Sequence, residues 1–421
     1  MTFENTLSFA QQLDANDSLK DLRNEFYFPQ HNNEDAIYFC GNSLGLQPKN
    51  VDAAIQTELQ TWRELAVEGY FKGTNPWLFY HEYLRGSLAK IVGAKEEEIT
   101  VMNALTVNLH FMMLSFYKPT TQRYKIMMEA GAFPSDQYAV ETQARHYGFD
   151  PVDVIIEIAP RSGEKILHEE DIIEAIETHK DTLALTIFGG INYYTGQLYN
   201  IPLITAAAQK AGAIAGWDLA HVTGNVPTQL HDWNVDFAVW CSYKYLNSGP
   251  GAAAGAFVHE RHTNPSTARL AGWWGTDEKI RFKMEKGFIA KPDASGWNLS
   301  TSQVFNMVAL KASLQLFDKA GMQNLRTKSI MLTNYLEYLL LQLNNTTFEI
   351  ITPSNEHRRG AQLCLFFKEK GKAIHEKLMQ SGIIVDYREP GVIRVAPAPL
   401  YCSFTDVYKC VKIIGDVLNT N

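Results

Sequence analysis

Cysteine is scarce in this chain and shows no pairing. The five cysteines, Cys40, Cys241, Cys364, Cys402 and Cys410, are scattered, odd in number and form no CxxC pair. That argues against a disulfide framework and a zinc ribbon, and suits a reducing compartment. Long apolar runs are missing too, so no membrane span is expected. Residues 1–18 are acidic and lack the apolar centre of a secretory leader. There is no basic excess: the formal net charge is −8, which argues against a nucleic-acid partner. No G-x-G-x-x-G follows an early strand; the glycine cluster Gly249-Pro-Gly-Ala-Ala-Ala-Gly255 misses that spacing by one and follows a lysine, which weakens a nicotinamide dehydrogenase. The twelve histidines contain no HExxH, so no metal is expected, and His259 and His262 read as solvated side chains. The expectation is a cytoplasmic enzyme.

What is present is the material of a large folded protein. The chain has 421 residues, 46% hydrophobic and 20% charged, enough for a sizeable core and more than one domain. From about residue 99, short apolar runs alternate with amphipathic ones. The expected strands are Ile99–Asn103, Tyr124–Glu129, Val152–Ile158, Leu183–Phe188, Ala213–Asp218, Asp236–Ser242 and Gly255–His259. Helical patterns such as His168–His179 and Leu203–Ala211 lie between most of them. Strands apolar on both faces and separated by helices imply an α/β fold with a mostly parallel sheet.

The last 120 or so residues change rhythm. A helix is expected over Ser302–Ala320, with Val304, Phe305, Val308, Ala312 and Leu316 inward and Gly321 at its end. Strands at Phe348–Ile351, Gln362–Phe366, Ile383–Val385 and Val392–Val395, with a helix at Ala373–Met379, make a small α+β unit. A final helix begins at Ser403, with Asp406 three residues on. This gives an N-terminal arm and loop over 1–48, a large α/β domain over 49–300 and a small domain over 301–421.

Chemistry concentrates at strand ends. Asp218 closes one apolar strand and Lys244 follows another. Ligands in open α/β sheets sit beyond the carboxyl ends of the strands, so a carboxylate and an amine would share one cleft. Pyridoxal phosphate needs both: an amine to bind it covalently and an acid for its ring nitrogen. Taken alone, Lys244 would be a surface lysine and Asp218 a turn or helix cap. Ile99–His110 reads as a strand turning into a helix, where free N–H groups, the helix dipole and the Thr106 hydroxyl suit an anion. An ordinary capped helix explains that stretch equally well. Ala132–Tyr138 opens another helix at Pro134, and Phe133 there could stack on a planar ring.

These strings resemble the kynureninases, fold-type-I pyridoxal-phosphate enzymes of the class V aminotransferase-like group, which hydrolyse kynurenine to anthranilate and alanine. The resemblance runs from Tyr38-Phe-Cys-Gly-Asn-Ser-Leu-Gly-Leu-Gln-Pro48 through Met102–Asn108, Phe133–Asp136, Tyr194–Gly196, Asp218–His221, His231–Trp233 and Cys241–Leu246 to Gly391–Tyr401. It implies that Lys244 binds the cofactor and removes the substrate α-proton, that Asp218 partners the ring nitrogen, and that Phe133 stacks on the ring beside Pro134, Ser135 and Asp136. Leu105, Thr106 and Tyr243 would meet the phosphate, with Tyr243 also a candidate proton donor. Asp136 and His221 would lie close by. Trp273 would come from the partner subunit of a homodimer. Arg394 would clamp the substrate carboxylate, with Asn42, Ser43 and Tyr70 at the substrate. The chain departs from the family pattern at Gly189, where relatives often carry a hydroxyl, and at Thr301 and Tyr70, where the animal enzymes have an amide and a histidine. The last two favour kynurenine over its 3-hydroxy form. The alternatives are a cysteine desulfurase or another class V enzyme, or a binding protein that keeps the fold. Tyr243 and Phe133 stand where a desulfurase has histidines, and only Cys402 could serve as a reactive cysteine.

Overall fold

A computed structural model of the chain describes residues 2–419. Seven strands form the large sheet: β1 (Ile99–Val101), β2 (Lys125–Glu129), β3 (Ile155–Ile158), β4 (Leu183–Gly189), β5 (Ile214–Asp218), β6 (Phe237–Trp240) and β7 (Gly255–Val258). Their spatial order is β1-β7-β6-β5-β4-β2-β3. Only β7 runs antiparallel to its neighbours, so the mostly parallel α/β sheet is as expected. Pairing shortens most of the expected strands by one or two residues. Val152–Val154 is a correction: Asp150 accepts the Val152 N–H and Pro151 opens a helical turn there, so β3 starts only at Ile155.

The period-2 alternation of the strands builds a core on each face. Ile126, Met128, Leu185, Ile187, Phe237 and Val239 face one side, against α2 (Leu105–Phe116) and α3 (Pro134–His146). Met127, Ala215, Trp217, Ala238 and Trp240 face the other, against α4 (Glu169–Thr178) and α5 (Ile201–Lys210). The indole N–H of Trp217 donates to Thr205 Oγ of α5 at 3.0 Å, tying that helix to the sheet. Apolar strands sandwiched in this way need helices on both sides, which the intervening sequence supplies.

The C-terminal part has a second, antiparallel sheet of β8 (Phe348–Ile350), β9 (Leu363–Phe367), β10 (Asp386–Arg388) and β11 (Val392–Val395), in the order β8-β9-β11-β10. Strand β10 was not expected from the sequence. Helix α6 (Val304–Ala320) ends at Gly321, whose φ is +74°. Phe305 corrects the reading of that helix: it is 43% exposed, with its ring 6.0 Å from the exposed Trp62. The histidines at the sheet edge also correct the solvated reading. His262 meets Asp236 at 2.6 Å, and His259 is buried beside Glu98 and His231. Glu98 accepts the Glu260 and Lys95 N–H groups and bonds His231, holding the start of β1 to the end of β7.

The N-terminal arm is built into this C-terminal layer. Ile37–Tyr38 pairs in parallel with Ile383–Ile384. Asp14, in α1 (Leu7–Asn16), accepts the Phe404 and Thr405 N–H groups at 2.7 and 3.0 Å. Those amides open the last helix, α7 (Phe404–Asn419). Ser403 and Asp406 complete its reciprocal capping box at 3.0 and 2.9 Å. Replacing Asp14 with Ala should therefore cost about 1–2 kcal/mol, as loss of a helix cap does. Chemical denaturation measures this; an unchanged midpoint would show that the arm does not stabilise the C-terminal helix.

Candidate active site

The parallel register brings three strand ends together. Gly189 of β4 lies beside Asp218 of β5, and Glu129 closes β2 on the other side of β4. Chain order reverses between β2 and β4, which is where open α/β sheets bind ligands. A cavity of about 540 Å³, counting its open mouth, lies at this edge. Of the residues expected at the cofactor, Leu105, Thr106, Phe133, Ser135, Asp136, Gly189, Asp218, His221, Tyr243 and Lys244 line it. Pro134 is the first residue of α3, between Phe133 and Ser135.

One end of the cavity is prepared for an anion. Ala104, at the N-cap of α2, makes no side-chain cap, so the first amides of that helix have no such partner. The hydroxyls of Thr106 and Ser135 bond each other at 2.7 Å, joining the N-termini of α2 and α3. The side wall is Phe133, 43% exposed, with its ring 5.3 Å from that of Tyr193. Lys244 Nζ lies 5.8 Å from the Phe133 ring centre and 3.2 Å from His221 Nε2. Burial, and then the Lys244 charge, hold His221 well below the usual histidine range. His221 is therefore neutral, and its Nε2 accepts a hydrogen bond from the Lys244 amine.

The other end is acidic. Asp218 accepts the Ala220 N–H at 2.7 Å, and burial raises its pKa against the lowering effect of Lys244. Burial and the Asp218 charge raise Asp136 well above the carboxylate range. Glu129 was missed in the sequence. Its two oxygens lie 3.1 and 3.3 Å from the Gly189 nitrogen and accept its N–H. Burial pushes its pKa up to about 7, with a further rise from Asp218. The signal was present, since a lone acid closes the apolar run Lys125–Glu129 just as Asp218 closes Ile214–Asp218. Ile191, Tyr193 and Ala220 also line the cavity, and nothing in their local sequence marks them.

The expected substrate residues are divided. Arg394 is buried on β11, with its Nε 2.6 Å from Asp386 Oδ1, its Nη2 bonded to Asp386 Oδ2 and 3.0 Å from Ser43 Oγ, and its Nη1 3.0 Å from the Tyr193 carbonyl. Ser43 Oγ also donates to Asp386. Asn42 donates to Gln362 at 2.9 Å, and its own Oδ1 is buried without a partner. This cluster reaches the cavity through Tyr193. Asp386 pairs with Arg394 across the β10–β11 register and was not anticipated. Tyr70, expected at the substrate, and Trp273 and Thr301, expected at the cofactor, are not among the residues lining the cavity. Tyr70 rests edge-on against Trp77 at 5.6 Å. Trp273 is 47% exposed, and Thr301 lines a separate recess with His81, Met102, Asn103 and Asn298. Cys402 is buried and donates to the Tyr38 carbonyl, so it does not sit on a mobile loop as a reactive cysteine would.

An anion-ready helix end, an aromatic wall, a buried carboxylate and an amine between them fit pyridoxal phosphate. Solved structures share the fold. The chain superposes on a cysteine desulfurase from Escherichia coli with TM-score 0.77 at 16% identity, covering 96% of this chain and 99% of that one. A cysteine desulfurase from Thermococcus onnurineus matches with TM-score 0.76 at 18% identity, covering 92% and 95%. Fold and cavity together define a pyridoxal-phosphate enzyme of fold type I.

Sequence comparison narrows this. Residues 325–414 match the family model of the kynureninase C-terminal domain. Kynureninases from Flavobacterium johnsoniae and Myxococcus xanthus are 51% and 52% identical, each covering 98% of this chain and 98% and 97% of their own. One from Nematostella vectensis is 47% identical over 98% of this chain and 94% of its own. The chain belongs to the kynureninase family.

Thr106→Val keeps the side-chain shape but removes the hydroxyl bonded to Ser135. Loss of one charge-assisted bond to phosphate, about 1.5 kcal/mol, should raise the Kd for pyridoxal phosphate about tenfold. Titration of the apoenzyme, followed by absorbance, reads this; an unchanged Kd would remove Thr106 from the anion site.

Proposed function

We propose that this cavity binds pyridoxal phosphate through Lys244 and hydrolyses the side-chain carbon–carbon bond of L-kynurenine, giving anthranilate and L-alanine. The observation that carries the reading is the meeting of Lys244, Asp218 and the uncapped α2 terminus in one cavity at the carboxyl edge of the sheet. When bound, the cofactor supplies a carbonyl carbon for amines and an electron sink. The residues of the chain then handle position and protons.

Leu105, Thr106, Ser135 and Tyr243 would hold the phosphate, Phe133 would offer its face to the ring, and Asp218 would keep the ring nitrogen protonated, with Asp136 and His221 close by. Lys244, once free, would take the substrate α-proton at Nζ, which lies 3.2 Å from His221 Nε2. The water oxygen ends in the anthranilate carboxylate, and the broken bond leaves the β-carbon to be reprotonated as alanine. Burial raises the Tyr243 hydroxyl pKa, so it stays protonated near neutral pH and can donate to the departing fragment.

Arg394 receives the substrate carboxylate, with Ser43 and Asn42 next to it. Asp386 already occupies its Nε edge, so the carboxylate takes the Nη side now shared with Ser43 and Tyr193. The Gly189 N–H is taken by Glu129, so Gly189 offers the cofactor no hydroxyl and no free amide. Trp273 is exposed and away from this cavity, which supports its reaching the phosphate region of a second copy in a homodimer with shared sites. Tyr70 and Thr301 belong near the substrate ring, and their identities favour kynurenine over 3-hydroxykynurenine. Among the described residues, no helix is long and apolar enough to cross a membrane, and we place the enzyme in the cytoplasm.

Lys244→Ala should abolish both turnover and the substrate-sensitive visible absorption of the bound cofactor; full activity would sink the scheme. Arg394→Lys loses a planar fork, and KM for kynurenine should rise about ten- to a hundredfold, with kcat less affected. Alanine release from kynurenine, measured against sulfide release from cysteine, separates this reading from a desulfurase.

A further inference from the structure

Glu129 stands outside the roles assigned above, yet it lines the cofactor cavity and is only 3% exposed. Among the described residues it forms no ion pair; the Gly189 N–H is its partner across the β2–β4 switch point. A Cβ added at Gly189 would lie 3.1 Å from Glu129 Oε1, so the carboxyl fills the space that a side chain there would take. Three acids, Glu129, Asp136 and Asp218, share this cavity with one amine, Lys244, and a neutral His221. Like charges gathered in a buried site do not all ionise.

We propose that Glu129 is a positioning residue that locks the Gly189 strand end and, by holding or releasing its own proton, sets how much negative charge the cavity adds to that of Asp218 around the cofactor's ring nitrogen. This rests on the pyridoxal-phosphate reading of the cavity. The groups acting on Glu129 are Asp218 at the end of β5, Asp136 on α3 and Tyr199 after β4, with Lys244 and His221 across the cavity.

The sign follows from the raised pKa. Burial favours the neutral acid, which persists up to about pH 7. Above that, a second negative charge appears beside Asp218 and strengthens the hold on a protonated ring. Glu129→Gln keeps an oxygen for the Gly189 N–H but can never ionise. The ratio of the variant's Kd for pyridoxal phosphate to that of the unaltered apoenzyme should therefore grow about fivefold from pH 6 to pH 8, approaching the tenfold limit set by one unit of pKa coupling. A ratio independent of pH would overturn the proposal, because a purely structural role gives a constant penalty.

A second readout needs no cofactor. Infrared difference spectra between pH 6 and pH 8 should show a protonated-carboxyl band lost in the unaltered apoenzyme and missing from the same difference for Glu129→Gln, which separates Glu129 from Asp136 and Asp218. Absence of that change would also overturn the proposal. Failure of the unaltered protein to bind pyridoxal phosphate at all would instead overturn the reading of the cavity, and the infrared result would still judge Glu129.

Discussion

The parallel pairing of β2, β4 and β5 is the constraint on which the cavity depends. Parallel strands that start on one side of a sheet end together on the other, so the residues closing them share an edge. Gly189 and Asp218 are register partners, and the Gly190 N–H donates to the Asp218 carbonyl at 2.7 Å, continuing the ladder to the rim of the cavity. A slip of one residue would turn Asp218 to the other face, away from Lys244. The apolar packing on both faces fixes that register, which is why Trp217, fully buried one residue earlier, matters to the chemistry.

Burial at this edge has an electrostatic consequence. An amine, a neutral imidazole and three acids share a space with little water, so protons must be retained on some of the acids. The site is thus poised without its cofactor. Asp218 is the acid most engaged by the Lys244 charge and by a backbone N–H, which suits it to ionise opposite a ring cation. Asp136 and Glu129 keep protons that a more exposed pair would lose. His221 complements this, because an imidazolium beside the Lys244 amine would repel it.

Much of the fold and most of the cofactor end could be read in the sequence, since both rest on local pattern. Runs apolar on both faces gave the sheet, and a charged residue closing such a run marked Asp218 and Lys244. The same signal marked Glu129, but no resemblance drew attention to it. Val152–Val154 looked like strand because β-branched residues flank an acid; Asp150 and Pro151 made it a helical turn instead. Phe305 fitted the apolar face of α6 by spacing, yet it is exposed next to Trp62. Asp386 was invisible because its meaning depends on a partner eight residues away across a hairpin.

The two ends of the substrate site differ in how much one chain can supply. The carboxylate end is complete: the arm carrying Asn42 and Ser43 is bound to the C-terminal layer through Ile37–Tyr38, and that layer holds Arg394. Arg394 is prepared rather than idle, since Asp386 fixes its plane and neutralises it in a buried place where an unpaired guanidinium would be costly. In the proposed site an incoming carboxylate would exchange neutral partners, Ser43 and the Tyr193 carbonyl, for a charged one, and that exchange would favour an α-amino acid over its amide. Away from that cluster, Trp273 is exposed and Thr301 opens onto a recess across the Met102–Leu105 turn from the cofactor cavity. In the proposed homodimer a second copy would supply the wall that one chain leaves open, and substrate choice at the ring would be made where two chains meet.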